Sequence, residues 1–215
     1  MPLLIAIDGT YASGKGTLAR RLAAHYGLRH LDTGKLYRAV ALAVLGAGGD
    51  PDSEADGLAG VGAADLGALD DPALVSDDIA QAASRVSVHP GVRAALLQLQ
   101  RDVAAGGAVL DGRDIGTVVC PDAAVKLFVD ADPLERARRR YLELLLRGDA
   151  VTEAEVRRSL HERDTRDRTR ATAPLRPASD AHGLDTTDLD PDQVFARARE
   201  LVDATLAVGA AVGTA

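Results

Sequence analysis

The stretch Gly9-Thr10-Tyr11-Ala12-Ser13-Gly14-Lys15-Gly16-Thr17 follows a short apolar run, LLIAID from Leu3 to Asp8. It leads into residues at helical spacing, with Leu18, Leu22 and Tyr26 on one side. A buried strand that ends in a glycine-rich loop and turns directly into a helix is a phosphate-binding arrangement. Glycines let the backbone come close to the ligand, and the N–H groups of the loop and helix start face an anion. Lys15 is placed to bridge β- and γ-phosphate oxygens, and the Thr17 hydroxyl to ligate Mg²⁺. All nine residues are therefore expected to bind ATP. The plain alternative is a strand-to-helix turn without a ligand, but such a turn does not need a lysine.

The rest of the chain repeats strand and helix in alternation. His30-Leu31, Ala108–Leu110, Val125–Val129 and Gly183–Asp185 read as further short strands. Helical patterns cover Lys35–Leu45, a segment from Ile79, Val92–Ala104 behind Pro90, Asp132–Leu146, a segment after Thr152, and Pro191 to about Val208. Thr152 with Glu155 forms a capping-box pattern. Residues 46–72 are rich in Gly, Ala and Asp and punctuated by Pro51 and Pro72, and read as a small insertion of short helical turns. The expected fold is α/β: a parallel sheet core of about five strands in the manner of P-loop NTPases, covered by helices on both faces.

Composition bounds the function. At 215 residues with 47% apolar and only 3% aromatic content, the chain supports one α/β domain with a core of Ala, Val, Leu and Ile. No apolar run approaches the roughly 18 residues that span a bilayer. The start, MPLLIAIDG, lacks a basic n-region and a cleavage site, so a cytoplasmic, membrane-free protein is expected. Cys120 is the only cysteine, which excludes an internal disulfide and points to a buried, inert thiol. The net charge of −7 argues against nucleic-acid binding, yet arginines concentrate between Arg136 and Arg176, as at a local anion site. The five histidines lack metal-ligand spacing. Arg136–Arg140 read as a solvated helix face with one or two inward members, one of them a candidate ATP contact. The tail from Val208 to Ala215 is open between frayed and packed.

A phosphate loop leaves the acceptor undefined. Three later segments supply one. LDTGKLYR (Leu31–Arg38) puts Thr33 at a helix mouth, with Arg38 about one turn further in. LDGRDIGT (Leu110–Thr117) places Asp111, Arg113 and Asp114 past the carboxyl end of a strand, where ligands bind in open parallel sheets. In ERDTRDRTRATAPL (Glu162–Leu175), Arg163, Asp167 and Arg170 share one helical face. The plainer alternatives are that Asp114 pairs with Arg113, that Ser84 caps a helix, and that Arg38 lies on a solvated face.

GKGT, with Gly16 between the lysine and the hydroxyl, is the form seen in nucleoside monophosphate kinases. DTGxLYRA, AASxV followed by VRxxLxxxQR, DGRDIGTVVxPDA, ERDxRDxTRAxAPLxPA and LDTT then occur in order. With these motifs the chain resembles the bacterial cytidylate kinases over most of its length, residues 46–78 and the last dozen excepted. The resemblance implies transfer of a phosphoryl group from MgATP to CMP or dCMP by a monomer. It implies that Ser84, Arg93 and Asp114 meet the cytosine, with Arg170 nearby, and that Arg38, Arg113 and Arg170 hold the acceptor phosphate. Arg163 and Asp167 would face the ribose, and Thr33 would line the pocket. Lys15, Arg38, Arg113 and Arg170 are the implied catalytic set.

The implied organisation is one kinase domain, 1–215. Its core is 1–45, 105–143 and 177–215, its acceptor-binding region about 33–104, and its helical lid about 144–176. The sequence departs from the family at 46–78, a short, strand-poor insertion in which Asp77-Asp78 stand where a basic residue is expected. Ala12 stands where such kinases often carry another glycine. Chemistry matches the assignment: a carboxylate suits the exocyclic amino group of cytosine and an arginine its acceptors. The rival classes are another small-molecule P-loop kinase, for adenylate or shikimate, and a nucleotide-binding protein without catalysis. The DGRD and RD-rich segments oppose the first, and the intact Lys15, Thr17 and arginine set opposes the second.

Overall fold

A computed structural model describes residues 2–212; Met1 and the end of the tail, Gly213–Ala215, lie outside the described residues. Five parallel strands form one sheet in the order β2-β3-β1-β4-β5. They are β1 (Leu4–Gly9), β2 (Arg29–Asp32), β3 (Ala108–Gly112), β4 (Val125–Asp130) and β5 (His182–Asp185). β1 lies at the centre, paired with β3 on one side and β4 on the other, with Asp8 opposite Gly112 and Phe128. The connecting helices are α1 (Lys15–Tyr26), α2 (Thr33–Gly46), α3 (Glu54–Ala63), α4 (Asp77–Val86), α5 (Pro90–Ala105), α6 (Pro133–Leu146), α7 (Glu153–Thr169) and α8 (Pro191–Val212).

Strand alternation sorts the core into two layers. Ile5, Ile7 and Val109 face Leu18, Leu22, Ala198 and Val202 of α1 and α8. Ala6, Ala108 and Leu110 face Leu36, Val40, Val86 and Leu96 of α2, α4 and α5. Both faces of the sheet are therefore buried, as a parallel sheet requires.

Residues 46–72 differ from expectation. They contain a ten-residue helix, α3, and not merely short turns. The Ser53 hydroxyl caps it by accepting from Asp56 N–H, and Glu54 and Asp56 suit its positive end. Gly57 and Gly60 are its contact face: a Cβ at Gly60 would sit 2.5 Å from Val44 Cγ2 of α2. The glycines that lowered the helix signal are the residues that permit the packing.

A second unanticipated element is a wide turn over Ile115–Val119, closed by Val119 N–H to Asp114 O at 3.1 Å and Cys120 N–H to Ile115 O at 2.7 Å. α7 begins at the expected capping box and ends at Thr169, so Arg170 lies one residue beyond the helix, still buried. Cys120 is buried, and burial pushes its thiol up to about 11.

Candidate active site

The phosphate loop opens at the carboxyl edge of β1. Gly9 is required there because a Cβ would lie 2.0 Å from Val129 O. Gly14, at φ 84°, caps α1 without a side-chain bond, and the first turn of α1 has no acidic residue. Its leading N–H groups are thus left for an outside anion. Ala12 holds φ 61°, a left-handed conformation that an L side chain adopts at a cost. The loop is braced from within by Ser13 Oγ donating to Thr10 O (3.0 Å) and the Thr10 hydroxyl donating to Asp130 (2.6 Å).

Lys15 is buried, with Nζ 3.3 Å from Thr10 O. Burial and then the Arg113 charge bring its pKa down to about 7, against the pull of Asp111 and Asp32. The loop faces a cavity of about 320 Å³. Six arginines (Arg20, Arg38, Arg113, Arg139, Arg140, Arg163) and Lys15 meet only Asp32, Asp111 and Glu143 there. On a chain of net charge −7 this is a concentrated anion site. Thr17, Asp32 and Asp111 offer it one hydroxyl and two carboxylates. That all-oxygen set fits Mg²⁺, which binds few protein ligands and takes the rest from phosphates and water.

A smaller slot of about 40 Å³ adjoins this cavity. Gly34, Gly112, Arg113 and Arg163 line both spaces and form the wall between them. Thr33, Arg93, Asp114, Asp167 and Arg170 line the slot alone. Arg93 donates to Asp114 Oδ2 at 2.5 Å and lies over the Tyr37 ring, while Arg170 Nη2 approaches Asp114 Oδ1 at 3.6 Å. Arg113 Nε donates to Asp167 at 2.7 Å. Burial opposes the Asp167 charge, but Arg113, Arg163 and Arg170 outweigh it and hold the carboxyl below its usual range. Thr33 Oγ1 donates to Asp111 O at 2.8 Å.

Ser84 is buried beside the slot, where its hydroxyl accepts from Arg166 of α7 at 3.2 Å; Ser87, not Ser84, lines the space. Arg38 is half-buried, lines the larger cavity and donates to Leu74 O at 2.7 Å. Burial, then Arg113, lowers Arg163 to about 10. Among the described residues, Arg140 Nε, Arg163 Nε and Arg170 Nη2 are buried without a hydrogen-bond partner. Unmatched guanidinium donors around two joined spaces call for an anion.

Two features escaped the sequence, the place of Tyr11 and an apolar space, while the inward members expected among Arg136–Arg140 are Arg136 and Arg140. Arg136 is fully buried, donating to Tyr11 O (3.0 Å) and to both oxygens of Asp164 (3.2 and 2.6 Å), so α6 ties the phosphate loop to α7. Arg140 is also buried, with Arg139 half-buried and Arg138 exposed. Tyr11 lies under Arg163 and Arg140, at 4.0 and 5.6 Å from its centroid. An apolar space of about 320 Å³ opens beside Gly14 and Thr17, lined by Leu18, Leu189, Pro191 and Val194 together with Arg139. Its only sequence signal was the apolar spacing just after LDTT.

A family model described as cytidylate kinase matches residues 5–204. A protein named cytidylate kinase from Granulibacter bethesdensis is 58% identical over 203 residues, covering 94% of this chain and 97% of its own. Another of that name, from Rhodopseudomonas palustris, is 55% identical over 207 residues, covering 95% and 98%. Among solved structures, an uncharacterised protein from Eubacterium ventriosum superposes with a TM-score of 0.57 at 15% identity, covering 94% of this chain and 98% of its own, a likeness of fold alone.

Proposed function

The chain belongs to the cytidylate kinase family, and from that membership we propose how its own residues divide the transfer of a phosphoryl group from ATP to CMP. The protein is an ATP-dependent cytidylate kinase. The observation that carries the assignment of sites is the pair of joined spaces: a phosphate-loop cavity and a slot ended by Arg93 and Asp114, with Arg113 and Arg163 between them.

Gly9–Thr17 hold the ATP phosphates. The apolar space at Leu189, Pro191 and Val194, which Arg139 also lines, takes the adenine ring. Lys15 spans β- and γ-phosphate oxygens, and phosphate binding restores its proton. Thr17, with Asp32 and Asp111 close by, would hold Mg²⁺, which when bound would supply charge neutralisation on the phosphate oxygens. Asp114 and Arg93 read the cytosine, Ser84 supports that end, and Arg163, Asp167 and Thr33 surround the ribose. CMP and dCMP are both acceptors in this reading.

The acceptor is itself an anion, so no strong base is required and positioning does most of the work. Arg38, Arg113 and Arg170 hold the acceptor phosphate and counter its repulsion from the donor. Arg113 is kept aimed by Asp167. The core is 1–45, 105–143 and 177–215, the acceptor region 33–104 and the lid 144–176. The lid excludes the water that would otherwise take the phosphoryl group. No described helix is long and apolar enough to cross a membrane, and a cytoplasmic monomer fits the reading. The test is ADP release from ATP with CMP, dCMP, UMP, AMP and shikimate in parallel. Release led by AMP or shikimate, or none dependent on acceptor, refutes it.

A further inference from the structure

Asp8 ends the apolar part of β1, one residue before the phosphate loop. Its carboxylate is nearly sealed, at 4% exposure. Oδ1 accepts the Ile115 N–H at 2.7 Å and Oδ2 accepts the Gly116 N–H at 2.8 Å. These are the first two amides of the wide turn that follows Asp114. The opening amides of any helical turn lack a partner within the turn. An aspartate just before such a turn ordinarily supplies that partner from its own side chain. Asp114 occupies that position and makes no such bond. Its carboxylate meets Arg93 and Arg170 in the acceptor slot instead.

We infer that Asp8 is a positioning residue for acceptor recognition: by capping the turn in place of Asp114, it leaves the Asp114 carboxylate free to face the base and fixes the acceptor loop in register with the donor loop. The bond runs from the strand that launches the phosphate loop to the loop that carries Arg113 and Asp114. Misplacement of reacting groups by about 1 Å costs on the order of 100-fold in rate. Without Asp8, the nearest carboxylate able to satisfy the two amides is that of Asp114, which would have to leave the slot. The inference rests on the reading of Asp114 as a base contact.

The charged and titratable groups around Asp8 are Asp114 and Arg113 on the same loop, Lys126 of β4 beside Gly116, and the Cys120 thiol. Lys126 is held by Asp180 at 2.7 Å. Burial raises the Asp8 carboxyl to about 6, against the two backbone bonds and with help from Asp114. Protonation would weaken its hold on both amides.

The test compares Asp8→Ala and Asp8→Asn with wild type and with Val202→Ala, a core truncation on the opposite face of the sheet. Both Asp8 variants should lose roughly 10- to 100-fold in kcat/KM for CMP, and the CMP/UMP ratio should collapse, with KM for ATP within about threefold of wild type. Val202→Ala should lower Tm without altering the CMP/UMP ratio. Equal losses on the ATP and CMP sides, or an unchanged CMP/UMP ratio in folded Asp8→Ala, overturn the inference. Should neither variant fold, wild type still decides. The Ile115 and Gly116 amide resonances should titrate near pH 6, and affinity for cytidine, which carries no phosphate, should fall with the same midpoint. Titrating amides with cytidine affinity flat from pH 5 to 7.5 would overturn it. The base-contact reading fails separately: Asp114→Asn that leaves CMP/UMP selectivity intact refutes that reading, whereas a change in Asp114→Asn but not in Asp8→Ala refutes only the role of Asp8.

Discussion

Asp114→Asn changes one atom and reverses part of a hydrogen-bond pattern. The Asp114 carboxylate has about four lone-pair positions; Arg93 takes one at 2.5 Å, and Arg170 stands at 3.6 Å from the other oxygen. Capacity remains to accept the amino group of cytosine. In the variant, the carbonyl oxygen must stay with Arg93, since a guanidinium only donates, so the new NH₂ faces the base. Cytosine then meets donor against donor and loses about 1–3 kcal/mol. At about 1.4 kcal/mol per tenfold, kcat/KM for CMP falls roughly 10- to 100-fold. Uracil presents its O4 acceptor to the same NH₂, so UMP is not penalised and the CMP/UMP ratio drops by the same factor, roughly 10- to 100-fold. Loss of a buried charge partner also weakens the fold by about 3 kcal/mol, so circular dichroism must first show a folded variant. Coupled ADP-release kinetics with CMP and UMP supply the ratio. An unchanged ratio, or equal losses for both nucleotides, would remove Asp114 from base recognition.

Lys15→Ala should lower turnover at least about 100-fold in the same assay with the far-ultraviolet spectrum retained; near-normal turnover would sink the phosphate-loop assignment. Ala12→Gly should stabilise the protein by about 1 kcal/mol, because relief of left-handed strain exceeds the added freedom of the unfolded chain. Calorimetry would register this as a rise of about 2–4 °C in Tm, and a fall would show that the Ala12 methyl packs favourably. Cys120, with its thiol raised to about 11, should react with a thiol reagent at pH 8 very slowly in the native protein and at once in denaturant; fast native labelling would contradict its burial.

The parts legible in the sequence are those whose signal is local. α1 starts at Lys15 and ends at Tyr26 as its spacing indicates, and Thr152 with Glu155 marks the start of α7 through its own two hydrogen bonds. α3 was obscured because glycine weakens helix propensity wherever it occurs, and only the neighbouring Val40 and Val44 of α2 explain why glycine is needed. Arg136 could not be singled out as one of the expected inward members, because charge is normally read as exposure. Its burial depends on Asp164 and the Tyr11 carbonyl, residues 28 and 125 positions away. The apolar space beside the phosphate loop draws Leu18 from α1 and Leu189, Pro191 and Val194 from near the start of α8. No spacing rule connects those two segments.

The short insertion has the same kind of explanation. An acidic pair, Asp77-Asp78, stands where a basic residue was expected, and the partner that resolves it is on another helix: Arg140 of α6 donates to Asp77 at 2.7 Å. Arg147, just past α6, donates to Val75 O at 2.8 Å, Arg163 of α7 to Ala80 O at 3.1 Å, and Arg166 of α7 to Ser84 and Gln81, each at 3.2 Å. The reduced acceptor region is therefore held from outside, by arginines reaching across from α6 and α7 to carbonyls and side chains of the insertion and α4. Lys35, Arg38 and Arg85 add ties within the region, to Asp70, to the Leu74 carbonyl, and to Asp50 and Asp52. In the proposed reading, the small insertion and α4 are thus tied to the helices that also flank the phosphate loop. Arg140 and Arg163 serve both sides, lining the phosphate cavity while gripping the acceptor region.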